Sequence, residues 1–262
     1  MTNIAAARTL IASEELPDVQ AFAADAPPGG GLPAFDVARD QALVVGSDVV
    51  SFTIGVEADF RQAIADSSLF AQLATLRKLP ADADPMTFFD NYFATLLGLG
   101  WLVQKRETAE INHDGAGFDV HQAIIGVITS FLSPISGAAA AVIAVLNGLH
   151  QMNKDAPFIT LFNRRSQSGK IGRFQLTHVR DDPQQGLLAE IMAFSLNADE
   201  QVTQVLFFKL KKSSTRLRRS NASLSIDTAA LKGVKDNLAA RVTAFRTALI
   251  AEAELGPLPE EN

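Results

Sequence analysis

Four histidines, His113, His121, His150 and His178, are the first residues of this chain to try for metal or acid–base chemistry. A helical zinc site needs two of them three or four positions apart, so that both rings leave one face of the helix. None of the four has such a neighbour, and the metalloprotease pattern is missing. His121 and His150 lie near opposite ends of one apolar stretch. If that stretch folds back as two antiparallel helices, both rings arrive at the same end, where protonation below about pH 6.5 would charge an otherwise apolar element. The simpler reading is that they mark where the helices leave the core.

Other reactive types give less. There is no cysteine, which excludes disulfides, thiolate metal ligands and a cysteine nucleophile together. The pairs Asp82/Asp84 and Asp181/Asp182 sit in proline-bearing turns, where carboxylates bond to local backbone. Gly169-Lys170 is followed by Ile171, so there is no phosphate loop of the Gly-Lys-Ser/Thr kind. Gly98-x-Gly100 precedes a strand instead of following one, unlike a dinucleotide turn. Neither Gly-x-Ser-x-Gly nor Ser-x-x-Lys occurs. Asn221-Ala222-Ser223 matches a glycosylation acceptor, a pattern that chance produces often. These residues call for no cofactor and no metal.

Two groups of residues point to binding instead. Lys209, Lys211, Lys212, Arg216, Arg218 and Arg219 form a basic stretch. On a strand, Lys209 and Lys211 share one face, as do Arg216 and Arg218. Such charges commonly guard a sheet edge against aggregation; the sharper reading is a surface for an anionic membrane or another polyanion. The second group lies in a stretch from Val120 to Asn153 with no formally charged residue in thirty-four positions. A stretch of that kind must be hidden from water in a core, in a partner or in a bilayer. Within it, Ser136, Ala140, Ala144 and Gly148 place a small residue at every fourth position, beside a second row of Ser133, Gly137 and Ala141. Small residues so spaced let helix backbones approach closely, in membranes and in soluble cores alike.

Composition bounds what these residues can serve. At 262 residues and 47% hydrophobic content the chain can bury a sizeable core. One tryptophan and one tyrosine, Trp101 and Tyr92, give little support to base stacking, so a nucleic-acid partner is not expected. The charge of −6 hides an asymmetry: residues 1–120 hold seven basic against seventeen acidic residues, and residues 154–226 hold twelve against six. The uncharged stretch separates an acidic half from a basic one. The N-terminus lacks a positive region followed by a long apolar one, so we expect a protein that is cytoplasmic as made, with signal-independent export left open.

The elements that must position these residues follow from pattern. Residues 1–36 read as a flexible N-terminal arm or linker: Met1 to Ser13 as a frayed or docking helix, and 14–36 as a linker, because Pro17, Pro27, Pro28, Gly29, Gly30, Gly31 and Pro33 interrupt helix and ladder alike. Residues 37–262 read as a single α+β domain, mainly helical over 37–153, with sheet and a last helix over 154–262. A strand is expected over 48–56 and helices over 58–78 and from Asp84-Pro85 to about Gly98. Trp101 to Ile111 reads as a strand. Asp119 caps a helix over 120–132, and Ser133-Pro134 starts a second one running to about Met152. From Pro157 on the period becomes strand-like, over 158–165, 171–180, 187–196, 202–212 and 215–226, an antiparallel meander of four to five strands. Asp227 caps a last amphipathic helix, expected to pack on the sheet through Leu231, Leu238, Phe245 and Leu249.

The function class expected from this layout is non-enzymatic binding or assembly with a protein partner. The alternative is a membrane-active, pore-forming-like protein that exposes the apolar pair over 120–152 at an anionic bilayer. An enzyme of unrecognised type is the second alternative, since triads are assembled from residues far apart in sequence.

Overall fold

The sheet begins with a hairpin of two apolar, β-branched segments, Gln41–Val45 (β1) and Asp48–Phe52 (β2), paired antiparallel around Gly46-Ser47. Gly46 has a φ of 58°, and a Cβ there would stand 2.5 Å from the Gln72 amide oxygen, which accepts the Ser47 N–H. Only glycine fits so tight a turn against that side chain. The structure, a computed structural model, describes residues 3–25, 34–80, 82–113, 119–151, 157–199, 202 and 215–252.

Ile171–Asp182 (β5), Gly186–Ala198 (β6) and Thr215–Ile226 (β7) form the expected antiparallel meander. The two-residue strand Gln167–Ser168 (β4) pairs with β5. The rest of the sheet comes from elsewhere. Trp101–His113 (β3) lies antiparallel to β7, β2 runs parallel to β5, and Ile250–Glu252 (β8) adds to β1. The order is β3-β7-β6-β5-β2-β1-β8. The α+β class therefore holds, but the sheet is mixed, and strands of the first half flank the meander on both sides. Of the strand expected over 202–212, residues 203–212 fall outside the described residues.

One expected strand is a helix. Residues 158–165 belong to Pro157–Ser166 (α6). Their β-branched and aromatic content suited a strand, but proline at the first helical position and Arg164-Arg165 in the last turn are helix signals. Three-residue spacing sends Ile159 and Phe162 inward together.

Helices cover both faces of the sheet, since ten consecutive positions of β6 are buried. On the first face lie Ala58–Lys78 (α2) and Pro85–Gly98 (α3). The α3 cap is the one expected: Asp84 accepts the Met86 N–H at 2.7 Å. Thr228–Leu249 (α7), capped by Asp227 on Ala230, carries the expected stripe, with Leu231, Val234, Leu238, Val242, Phe245 and Leu249 buried. It packs mainly on α2, however, and meets the sheet at β8 and at the β1–β2 turn, where the Leu249 carbonyl accepts the Gly46 N–H at 2.7 Å. The arm expected over 1–36 also contributes to the core. Ile4–Ser13 (α1) buries Ala7 and Ile11 and packs on α7, and the 3-10 turn Val19–Asp25 sets Phe22 edge-on to Phe245 at 5.8 Å.

The uncharged stretch forms two helices, as its cap-plus-proline signal predicts. Val120–Leu132 (α4) is capped by Asp119, whose carboxylate accepts the Gln122 N–H at 3.2 Å. The second, Ala138–Gln151 (α5), starts four residues later than the proline suggested, after a turn through Gly137 at φ 72°.

Candidate functional site: an uncharged helix pair and a polar sheet face

Register sorts the sheet's side chains into two faces. On the first, Asp48 accepts from Ser68 of α2 at 2.8 Å and from Thr177 of β5 at 2.9 and 3.0 Å. The Ser68 hydroxyl accepts in turn from Tyr92 and Gln72, each at 3.2 Å. No lysine, arginine or histidine joins this network among the described residues. Burial therefore dominates and pushes the Asp48 carboxyl up to about 7, against the lowering effect of its two hydroxyl donors. On the same face Arg173 lies over the Phe88 ring at 3.6 Å, with burial drawing its guanidinium down to about 10.

The second face carries a polar row across four strands. Ser51, His178, Glu190 and Ser223 stand opposite one another in register on β2, β5, β6 and β7. Ser51 Oγ lies 3.0 Å from His178 Nδ1, and Ser223 donates to Glu190 at 2.5 Å. Ser51, His178 and Glu190 are buried, and Ser223 is partly so. Burial, helped by the charge of Arg180, pulls the His178 imidazole down to about 4, and burial raises Glu190. Several polar atoms on this face are buried without a hydrogen-bond partner among the described residues: His178 Nε2, Asn221 Oδ1, Arg180 Nε and Arg219 Nε. Each such atom costs about 1–3 kcal/mol relative to its hydrated state. Sequence reasoning passed over this row. Its one visible signal was Glu190, a lone carboxylate inside the apolar run Leu187–Leu196.

Helix α6 covers part of the second face. Phe162 of α6 packs on Phe174 at 6.1 Å, which stacks on Phe194 at 5.0 Å, at one end of β5 and β6. Since α2 and α3 occupy the first face, the α4–α5 pair is the remaining described cover, and its buried side chains join the same core as those of the sheet. Inward go Val120, Ile124, Val127, Ile128 and Leu132 of α4 and Ala138, Ala141, Val142, Val145, Leu146 and Leu149 of α5. The outer surface is uncharged too: Gln122, Gly126, Thr129, Ser130, Ala140 and Asn147 are exposed. Surface helices ordinarily present charges to water. The pair turns back on itself, and the His121 and His150 rings meet at 5.1 Å.

The structure places the other sequence candidates as follows. Ser136 lies exposed in the turn before α5, Ala140 is exposed, and Ala144 and Gly148 are half-buried, so this row looks outward, and the inward small residues are Ala138 and Ala141. Lys209, Lys211 and Lys212 fall outside the described residues. Arg216, Arg218 and Arg219 of β7 each meet a carboxylate: Glu110 at 3.3 Å, Asp84 at 2.7 Å and Glu107 at 3.4 Å. Arg216 and Arg218 sit on the first face and Arg219 on the second, so the three do not form one patch. Among the described residues no group of three or more acidic or histidine side chains could hold a metal ion, and no helix is long and apolar enough to cross a membrane.

No family model matches the chain, and no curated protein matches its sequence. Among solved structures it is similar to a delta-endotoxin, at 9% identity and a TM-score of 0.33, over 70% of this chain and 84% of that one. It is also similar to the activated Cyt2Ba monomer from Bacillus thuringiensis subsp. israelensis, at 14% identity and 0.33, over 69% and 97%. The Evf virulence factor aligns at 12% identity and 0.33, over 85% and 88%. Scores of that size leave function to be argued from this chain itself.

Proposed function

We propose that this protein acts on membranes, releasing the α4–α5 pair from the sheet and laying it into the surface of a bilayer. One observation supports the reading above the others: the uncharged helix pair is the remaining described cover of a sheet face on which several buried polar atoms lack partners among the described residues. Lifting the cover would return His178, Asn221 and Glu190 to water, which offsets part of the cost of separating the layers. The freed helices have nothing charged to desolvate on entering lipid. At 1.5 Å per residue each is roughly 20 Å long, short of a hydrocarbon core of about 30 Å. They would therefore lie in the interface, with Ile125, Phe131, Ile135 and Ile143 among the residues that enter it.

The test uses the absence of cysteine. Ala140→Cys places a single thiol on the outer surface of α5 for a polarity-sensitive dye. Added vesicles should shift its emission to the blue, and encapsulated dye should leak from the same vesicles. No shift and no leakage with either anionic or zwitterionic vesicles would sink the proposal. Binding of a protein to this surface with vesicles inert would favour the assembly reading instead.

A further inference from the structure

The two ends of the sheet are unlike. One finishes in the three-residue β8, the other in the thirteen-residue β3. Among the described residues β3 pairs only with β7, and most of its side chains are exposed, with Leu102 at 51% and Val103 at 36%. A long exposed edge offers unpaired N–H and C=O groups to another strand, and natural edges usually suppress this with charge and bulges. Here a bulge between Val103 and Lys105 limits the regular edge at one end. The charges beyond it, Lys105, Arg106, Glu107 and Glu110, do not repel a copy of themselves in every register.

We propose that β3 is a self-association edge, pairing antiparallel with β3 of a second copy about a two-fold axis at Thr108 and extending the sheet across both molecules. A two-fold axis normal to the sheet keeps each side chain on its own face, so residues pair symmetrically about the centre. Centring on Lys105, Arg106, Glu107 or Glu110 sets that charge against itself. Centring on Ala109 puts no opposite charges together. Centring on Thr108 places Arg106 opposite Glu110 twice, Glu107 opposite Ala109 and Lys105 opposite Ile111, with no like-charged pair directly opposed. Arg106 is already held in place: it stacks on Phe93 at 4.5 Å and bonds to Ser220 and Asp90. Glu110 takes Arg216 and Asn112 on one oxygen, leaving the other for a new donor. This inference does not depend on the membrane reading.

The chain's lack of cysteine again makes the test clean. In the full chain, Thr108→Cys puts two thiols across the axis at a spacing a disulfide spans. Mild oxidation should convert it to a species of doubled mass on a non-reducing gel, while Lys105→Cys, whose opposite number is Ile111, stays at single mass. Adding Glu110→Arg to Thr108→Cys should abolish the cross-link. Mixing that double variant with an Arg106→Glu, Thr108→Cys chain should restore it, because the charges then oppose correctly in the mixed pair. Equal cross-linking from positions 105 and 108, no cross-linking at 108 in a folded protein, or indifference to the charge swap would each overturn the proposal. Thermal melts of the reduced variants establish that each is folded.

Discussion

Asp48→Asn should remove a pH dependence that the parent protein owes to one buried carboxyl. Asp48 is fully buried and is met by hydroxyls alone, and its pKa stands at about 7 against 3.8 for the free group. A raised acid pKa means that the native state holds its proton more tightly than the unfolded chain does. The contribution is most favourable below about pH 4, falls as pH rises, and is fully lost above about pH 7. Three units correspond to about 4 kcal/mol, or about 1.4 kcal/mol per pH unit across the window. Asparagine cannot ionise, so the asparagine variant should lack this slope. It introduces two N–H donors where Ser68 already accepts two bonds, so its absolute stability at low pH should be below the parent's. The quantity to measure is the difference in unfolding free energy between variant and parent, from urea titrations at each pH from about 4 to 9. That difference should move in the variant's favour by about 4 kcal/mol between pH 4 and 7 and then level off. A constant difference across the range would mean that Asp48 keeps its charge in the folded protein, and the account of its network would be wrong.

Three further outcomes follow from the same layers. His178 has the opposite sign: its pKa is held near 4 in the fold, so stability is present above about pH 6.5 and lost as pH falls toward 4; in His178→Asn this acid-side slope should disappear from the urea titrations. Because the Asp48 and His178 slopes oppose each other, each is read from the difference between a single variant and the parent, not from the parent alone. Arg61→Met should destabilise by about 3–5 kcal/mol in chemical denaturation, since Arg61 is fully buried and its guanidinium holds the carbonyls of Val56, Asp36, Arg39 and Thr53. Ala140→Leu should shift stability by less than about 0.5 kcal/mol, whereas Ala141→Leu, facing inward, should cost about 1–3 kcal/mol; equal costs would refute the orientation given to α5.

Local signals in the sequence specified most helices and their starts. Asp84-Pro85, Asp119 and Asp227 each became a cap, because a side chain two or three residues from a backbone N–H needs nothing beyond its own segment to find it. The break between α4 and α5 and the meeting of His121 with His150 were legible for the same reason: a short turn between helices leaves few ways to fold back. Residues 158–165 misled because β-branched and aromatic residues suit a strand and a buried helix alike, and packing under the sheet decided. Only the tertiary structure set β2 parallel to β5 and brought β3 to β7, pairings between segments more than a hundred residues apart that no local pattern encodes. The Asp48 network and the row from Ser51 to Ser223 follow from those pairings. Each polar residue alone reads as an ordinary strand position, and it becomes unusual only when register sets it beside the others and a helix layer closes over it. The outward row Ser136, Ala140, Ala144 and Gly148 shows the same limit from the other side. Spacing defines which residues share a helix face, but which face turns inward is decided by what the rest of the chain offers it to pack against.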